Sequence, residues 1–132
     1  MRKLVIAIDA DGTIFKKADF PFVGEPFPYA VKVIKRLKEK GHKIVIWSGR
    51  NNSKINTPIE RFLGMIFLKT ALDIYGIPYD EIDEGDAGKY VADIYIDDRA
   101  IEFRGDWLEI LKKVEEKEKQ VLQKEEADLD KL

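Results

Sequence analysis

The sequence predicts an α/β fold in which a parallel sheet lies between layers of helices. Two observations lead to this prediction. Continuous apolar runs, typical of strands buried on both faces, recur along the chain. Patterns typical of amphipathic helices separate these runs, so that strands and helices alternate. At 132 residues, the chain is expected to form one domain, residues 1–132, with three α/β/α layers.

The composition excludes several kinds of site. The chain has no cysteine, which excludes disulfides, thiolate zinc sites and thiol nucleophiles. Its net charge is −2, with acidic and basic residues mixed, and no basic stripe indicates nucleic-acid binding. The apolar start is too short and too acidic for a signal peptide, and no run approaches the length of a membrane span. We therefore expect a cytoplasmic protein without a membrane partner.

The first strand covers about residues 3–9 and ends in acidic residues. Asp9 and Asp11 stand at the end of this apolar run, and Gly12 and Thr13 follow them. Carboxylates beside a core are costly unless something neutralises them. In open α/β sheets, ligands bind at the carboxyl ends of the strands. The stretch therefore predicts a site for a metal, a phosphate or both.

The next two segments are a flap and a helix. Residues 12–28 contain several prolines and phenylalanines, which exclude a long helix and favour a small hairpin-like flap over the end of the first strand. Apolar residues at helical spacing then predict a helix over residues 29–40. Gly41 is a typical residue with which to end that helix.

The second strand is predicted at Lys43–Trp47, and a polar segment beginning with Ser48 follows it. The run Thr57-Pro58-Ile59-Glu60 is a capping box with proline at the first helical position, so a helix should start there and continue to Tyr75. The apolar residues of this helix cover more than one stripe. We expect it to be buried on most sides, either by its own domain or by another subunit.

The last third of the sequence predicts two more strands and a terminal helix. A short strand is expected over residues 77–82 and a clearer one over residues 92–96, which ends in Asp97 and Asp98. A second capping pattern begins the last helix near residue 107. Its charged end, up to residue 132, is either an exposed helix that frays or a helix that binds a partner.

The polar residues that follow the strands should meet at one edge, because the carboxyl ends of parallel strands face the same way. They provide carboxylates, a hydroxyl and, from a nearby loop, a cation: Asp9, Asp11, Ser48, Lys89, Asp97 and Asp98. Oxygen ligands of this kind suit Mg²⁺. The set also suits a phosphoryl group, which a carboxylate can attack to form an aspartyl-phosphate.

These residues resemble the motifs of the haloacid dehalogenase (HAD) superfamily of phosphotransferases. Asp9-Ala10-Asp11-Gly12-Thr13 is similar to the first motif and Ser48 to the second, while Lys89 matches the third and Asp97-Asp98 the fourth. The order and the strand contexts also agree, over roughly residues 3–106. The resemblance implies a Rossmann-like fold and a Mg²⁺-dependent phosphatase that forms an aspartyl-phosphate.

The resemblance also implies the roles of the first and last motifs. Asp9 would be the nucleophile and a Mg²⁺ ligand. Asp11 would be the general acid and base, with its backbone carbonyl as another metal ligand. Asp97 would bind the metal directly, and Asp98 would bind it directly or through water. Which of these last two is the direct ligand stays open.

The middle motifs would hold the substrate. Ser48 and neighbouring backbone amides, including that of Gly49, would bind the transferring phosphoryl group. Lys89 would neutralise the charge on the phosphoryl group and on the nucleophile. Arg50 is placed to meet a substrate anion, although an ion-pair role inside the protein is an equal alternative.

Two intervals in which family members carry a cap domain are short here, so the resemblance implies a capless member. An open site favours a large substrate, or a neighbouring subunit that covers the site through the 57–76 helix or the flap. The substrate therefore stays open as a small-molecule or macromolecular phosphate ester: a phosphosugar, a nucleotide, a polynucleotide end or a phosphoprotein.

Two other functions remain as alternatives. A signalling receiver domain also combines acids, a hydroxyl and a lysine around a phosphorylated aspartate. Its phosphorylated aspartate ends a central strand, however, where this sequence has Ser48. The other alternative is a non-catalytic binding module that uses the Lys/Glu-rich tail of residues 115–132.

Overall fold

The computed structural model describes residues 3–83 and 89–132. Within them the structure has four strands, three α-helices and one short 3₁₀ turn at Gly49–Asn51. In chain order the elements are β1 (Val5–Asp9), α1 (Ala30–Glu39), β2 (Lys43–Trp47), α2 (Pro58–Ile74), β3 (Glu81–Ile82), β4 (Ile94–Ile96) and α3 (Trp107–Asp130). The chain divides into two compact units, Met1–Asp98 and Arg99–Leu132. The single domain expected from the sequence stays an expectation.

The first unit is a parallel sheet with the strand order β3-β2-β1-β4. β1 pairs with both β2 and β4, and β2 pairs with β3, all in parallel. The predicted parallel, Rossmann-like α/β class is confirmed. Because the strands are parallel, the ends of β1, β2 and β4 open on the same edge of the sheet.

The core lies on the two central strands. The middle residues of β1 and β2 are buried, as their continuous apolar runs predict. Apolar side chains of α1, α2 and the start of the flap complete this core: Ile14, Phe15, Ile34, Met65, Leu68 and Leu72. This packing fixes the ends of β1 and β2, from which two of the expected motifs emerge.

β3 and β4 are shorter than the sequence predicts, because aspartate side chains replace backbone acceptors where each strand begins. Asp80 donates its N–H to the carbonyl of Ile44, and its Oδ2 accepts from the N–H of Ile44 at 2.7 Å. Asp93 makes the same pair of bonds with Val5, each at 2.8 Å. The regular ladders therefore start only after Asp80 and Asp93.

The flap, residues 12–28, has the predicted hairpin-like pairing. Lys16 donates its N–H to the carbonyl of Glu25, and Phe27 donates to that of Ile14. Phe15 forms an antiparallel bridge with Pro26 and is fully buried. The base of the flap is therefore part of the core.

α2 begins with the predicted capping box: Glu60 N–H donates to Thr57 Oγ1, and Thr57 N–H donates to the Glu60 carboxylate. Several of its apolar side chains are not buried. Ile59, Phe62 and Ile74 are largely exposed. The expectation that its own domain buries α2 on most sides is therefore wrong for this outward face, since the helix packs on the sheet through one side only.

The second unit is built around α3. Asp106 caps the helix by accepting from the N–H groups of Leu108 and Glu109, and the rings of Phe103 and Trp107 lie 5.1 Å apart. The helix is continuous to Asp130, and none of its residues is buried. Whether its end frays or binds a partner stays an expectation.

Candidate active site

Three carboxylates meet at the edge where the parallel strands end. Asp9 is the last residue of β1, and Asp97 and Asp98 follow β4. Each of the three offers an oxygen atom, and these oxygens lie within 4.8 Å of one another. The structure thus brings together Asp9 and the Asp97-Asp98 pair, as the strand pattern predicts.

Thr13 links the two loops that carry these acids. Its Oγ1 lies 3.2 Å from Oδ2 of Asp9 and 3.4 Å from Oδ1 of Asp98, and it accepts the N–H of Asp98 at 3.1 Å. Gly12 has a φ of 90°, and a Cβ there would lie 2.8 Å from Oδ2 of Asp98. The turn thus requires glycine, and the hydroxyl joins the two halves of the site. The sequence placed these two residues only in the turn.

Two of these acids, Asp9 and Asp98, have pKa values that are shifted in opposite directions. Burial, followed by repulsion from Asp97 and Asp98, raises the pKa of Asp9 to about 7. Burial also disfavours the charge of Asp98, but a hydrogen bond with Asp9 and the nearby Lys17 ammonium outweigh it and hold the pKa of Asp98 below its usual value. Asp9 is therefore the member of the pair that holds a proton when no cation is bound.

This donor set fits Mg²⁺. Hard carboxylate oxygens are the ligands that Mg²⁺ prefers, and three of them converge here. Burial and the repulsion between these acids, which together raise the pKa of Asp9, are effects that a bound cation would offset.

Asp11 lies in a different environment from Asp9. Arg50 holds its carboxylate with two hydrogen bonds: Nε donates to Oδ2 at 2.8 Å and Nη2 donates to Oδ1 at 3.1 Å. The Arg50 side chain is 7% exposed and that of Asp11 is 33% exposed. The carboxylate of Asp11 is therefore fixed by a cation rather than grouped with the other acids.

Ser48 follows β2 directly and caps the 3₁₀ turn Gly49–Asn51, which contains Arg50. Ser48 is 5% exposed, and its Oγ accepts the N–H of Arg50 at 3.1 Å. This is the turn cap that a serine at this position typically forms, and it leaves the hydroxyl proton available to a ligand. A Cβ on Gly49 would meet no atom within 4 Å, so packing does not require glycine there.

Two lysines have contacts near these acids: Lys89, the residue of the predicted third motif, contacts Tyr95 of β4, and Lys17, which no motif includes, contacts Asp98. Nζ of Lys89 lies 4.2 Å from the ring centroid of Tyr95, in an interaction typical of a cation on an aromatic face. Lys17, in the flap, places its Nζ 3.8 Å from Oδ2 of Asp98. Sequence reasoning missed Lys17, and its only signal was a cation in the segment expected to cover the site. Residues 84–88, in the loop before Lys89, lie outside the described residues.

A family model described as haloacid dehalogenase-like hydrolase matches residues 6–71, which is half of the chain. The chain belongs to the haloacid dehalogenase-like hydrolases. The matched part contains the first two motifs, including Asp9, Asp11 and Ser48. Lys89 and the Asp97-Asp98 pair lie beyond it. The resemblance identified from four short motifs is thus confirmed, and the chain is a hydrolase by family.

Solved structures agree with this membership. A conserved protein of Bacteroides thetaiotaomicron is 26% identical with a TM-score of 0.53, and the match covers 88% of this HAD-like chain and 93% of that one. A Vibrio cholerae protein is 28% identical with a TM-score of 0.50, over 76% and 83% of the two chains. None of the curated proteins matches.

The part of this HAD-like chain that the structure describes contains no helix that is both long and apolar enough to cross a bilayer.

Proposed function

We propose that the protein is a Mg²⁺-dependent phosphatase that hydrolyses a phosphomonoester through an aspartyl-phosphate on Asp9. The convergence of Asp9, Asp97 and Asp98 at the strand ends carries this proposal, because it combines a nucleophile with a set of oxygen ligands. Membership of the hydrolase family supports it. Asp9, Asp97, Asp98 and the carbonyl of Asp11 would hold the ion, which would supply charge neutralisation when bound.

In the first step, a carboxylate oxygen of Asp9 forms a bond to phosphorus, and the bond from phosphorus to the leaving oxygen breaks. Asp11 gives that oxygen the proton that it took from water in the second step of the preceding turnover. The Ser48 hydroxyl donates to a phosphoryl oxygen, and the backbone amides of the turn that begins at Gly49 add to this. Lys89 neutralises charge after its exposed ammonium leaves the face of Tyr95.

In the second step, water attacks the phosphorus of the aspartyl-phosphate. Asp11 accepts the proton of that water, phosphate departs, and the carboxylate of Asp9 is regenerated. The two steps together consume one water molecule and leave the two acids as they began. Asp11 needs a fixed direction in both, since a proton moves between it and an oxygen on phosphorus.

We propose further that the site works without a cap domain. The interval between Asp11 and α1 holds the flap, and the interval between Ser48 and Lys89 holds α2 and β3. An open site suits a large phosphate ester, or cover by a second copy through the flap or the exposed face of α2.

The proposal is tested with an aryl phosphate, p-nitrophenyl phosphate, in the presence and absence of Mg²⁺. We expect metal-dependent turnover that is absent in Asp9→Asn. Asp73→Asn, an exposed acid on α2, is the matched control and should retain full activity.

Other outcomes point to the alternatives. Stable labelling of Asp9 or another aspartate by acetyl phosphate, without turnover, would indicate a receiver-like domain. Neither turnover nor labelling, together with a partner lost on removal of residues 115–132, would indicate a binding module.

A further inference from the structure

Arg50 connects more parts of the first unit than its place in a motif requires. Its guanidinium donates to the carboxylate of Asp11, to the carbonyls of Pro21 and Phe22 in the flap, and to the carbonyl of Gly64 in α2. A guanidinium has five N–H groups, and all five are used in this way. The group therefore has no remaining donor with which to bind a substrate anion.

The surroundings of Arg50 hold the guanidinium in place. It is 7% exposed, and its central carbon lies 5.6 Å from the ring centroid of Phe20. Phe20 itself lies against Gly64, where an added Cβ would come within 2.8 Å of the ring. The flap, α2 and Asp11 thus meet on one planar cation.

We propose that Arg50 is a positioning residue, which holds the Asp11 carboxylate and the flap as one unit and so aims the acid and base of the reaction. This inference rests on the proposed function, in which Asp11 handles the proton of the leaving group. It replaces the expectation that Arg50 binds the substrate.

The bidentate geometry is the physical reason. A guanidinium that donates two parallel hydrogen bonds fixes both the position and the plane of a carboxylate, whereas a lysine supplies a point charge. General acid catalysis depends on that direction. The same guanidinium donates to the carbonyls of Pro21 and Phe22 in the flap. A movement of the flap would therefore shift Arg50 and, with it, the carboxylate of Asp11.

The test compares two substrates of similar shape. p-Nitrophenolate departs readily, whereas the phenolate of phenyl phosphate is a poorer leaving group and depends more on an acid. We expect Arg50→Lys to lower kcat/KM for phenyl phosphate at least ~10-fold more than for p-nitrophenyl phosphate, within the range of general acid catalysis. Arg36→Lys, an exposed arginine on α1, is the matched control and should leave the ratio unchanged.

A double-mutant cycle separates positioning from substrate binding. In the Asp11→Asn background, Arg50→Lys should cause no further selective loss on phenyl phosphate, because the group that it positions no longer transfers a proton. An equal loss on both substrates through KM, persisting in the Asp11→Asn background, would show that Arg50 binds the substrate and would overturn the proposal.

A second variant covers the case in which Arg50→Lys does not fold. Phe20→Leu removes the ring beside the guanidinium at a side chain that is 46% exposed. We expect a smaller loss with the same preference for phenyl phosphate. An unchanged ratio in this variant would then count against the proposal.

Failure of the proposed function has a different signature. If the wild-type protein hydrolyses neither substrate, the phosphatase proposal fails. The contact between Arg50 and Asp11 is then tested by thermal unfolding of Arg50→Lys, Asp11→Asn and the double variant. Changes in Tm that add independently would overturn the positioning role as well. Changes in Tm that are not additive would show that Arg50 and Asp11 are energetically coupled and would support the positioning role.

Discussion

Asp9 and Asp11 are two residues apart, yet their surroundings are opposite. Asp9 lies among other carboxylates, and burial together with their repulsion raises its pKa to about 7. Asp11 is held by a buried guanidinium at 2.8 and 3.1 Å. The surroundings of Asp9 therefore fit a metal site, while the carboxylate of Asp11 is paired with a cation and fixed in direction. Identical residue types acquire different environments from the strands and helices that approach them.

The largest expected effect comes from removing the nucleophile. Asp9→Asn should abolish phosphoenzyme formation and reduce turnover by ~10⁴-fold or more, the scale on which loss of a catalytic nucleophile acts. Acid quenching with labelled substrate measures the phosphoenzyme, and Asp73→Asn is the control. A labelled phosphoenzyme in Asp9→Asn would show that another group attacks.

The second effect separates Asp11 from Asp9. Asp11→Asn should slow turnover by ~10²–10⁴-fold, as loss of general acid–base catalysis does, but should still form phosphoenzyme from p-nitrophenyl phosphate. Single-turnover labelling checks this. Complete loss of phosphoenzyme labelling in both Asp9→Asn and Asp11→Asn would contradict the assignment of separate nucleophile and acid–base roles.

The contrast between the two acids also shows what the sequence could reveal. Asp9 and the Asp97-Asp98 pair were predictable, because each follows an apolar run and parallel strand ends share an edge. The bond from Arg50 to Asp11 joins residues 39 apart in sequence, and only the packing of the flap on α2 decides it. Arg50 in the motif was equally compatible with substrate binding.

The same distinction holds for the fold. The capping box at Thr57 and the boundaries of β2 depend on neighbouring residues and were predicted correctly. The late starts of β3 and β4 depend on hydrogen bonds from Asp80 and Asp93 to distant strands. No local pattern indicates such bonds.

Mg²⁺ affinity should depend on pH through the protonation of Asp9. The ion must displace the proton of Asp9, so Mg²⁺ affinity should fall about tenfold for each pH unit below about 7. Calorimetric titration at pH 5.5, 6.5 and 7.5 measures it. Affinity that is flat over this range would show that Asp9 carries no proton there.

In the absence of metal, the raised pKa of Asp9 also determines how its contribution to folding stability changes with pH. The folded state holds a proton on Asp9 that the unfolded state has released above its ordinary pKa of 3.8, so the contribution of Asp9 to stability falls as pH rises from about 4 to about 7. Solvent screening of this half-buried group limits the shift to a few degrees of Tm, on the order of 1 kcal/mol. Asp9→Asn should remove this slope.

The smallest expected effect tests whether the two environments are independent. In Gly64→Ala, the new Cβ would approach Phe20 to 2.8 Å and Cβ of Arg50 to 3.3 Å. Alanine favours the helix by about 1 kcal/mol, and the half-exposed ring of Phe20 can move aside, so the Tm should change little. The support of Arg50 is weakened, so phenyl phosphate hydrolysis should fall a few-fold while Mg²⁺ affinity is unchanged. α2 contacts Arg50 through Gly64, and none of Asp9, Asp97 and Asp98 lies on this helix. Reduced Mg²⁺ affinity in Gly64→Ala would therefore mean that the flap and the carboxylate cluster move together.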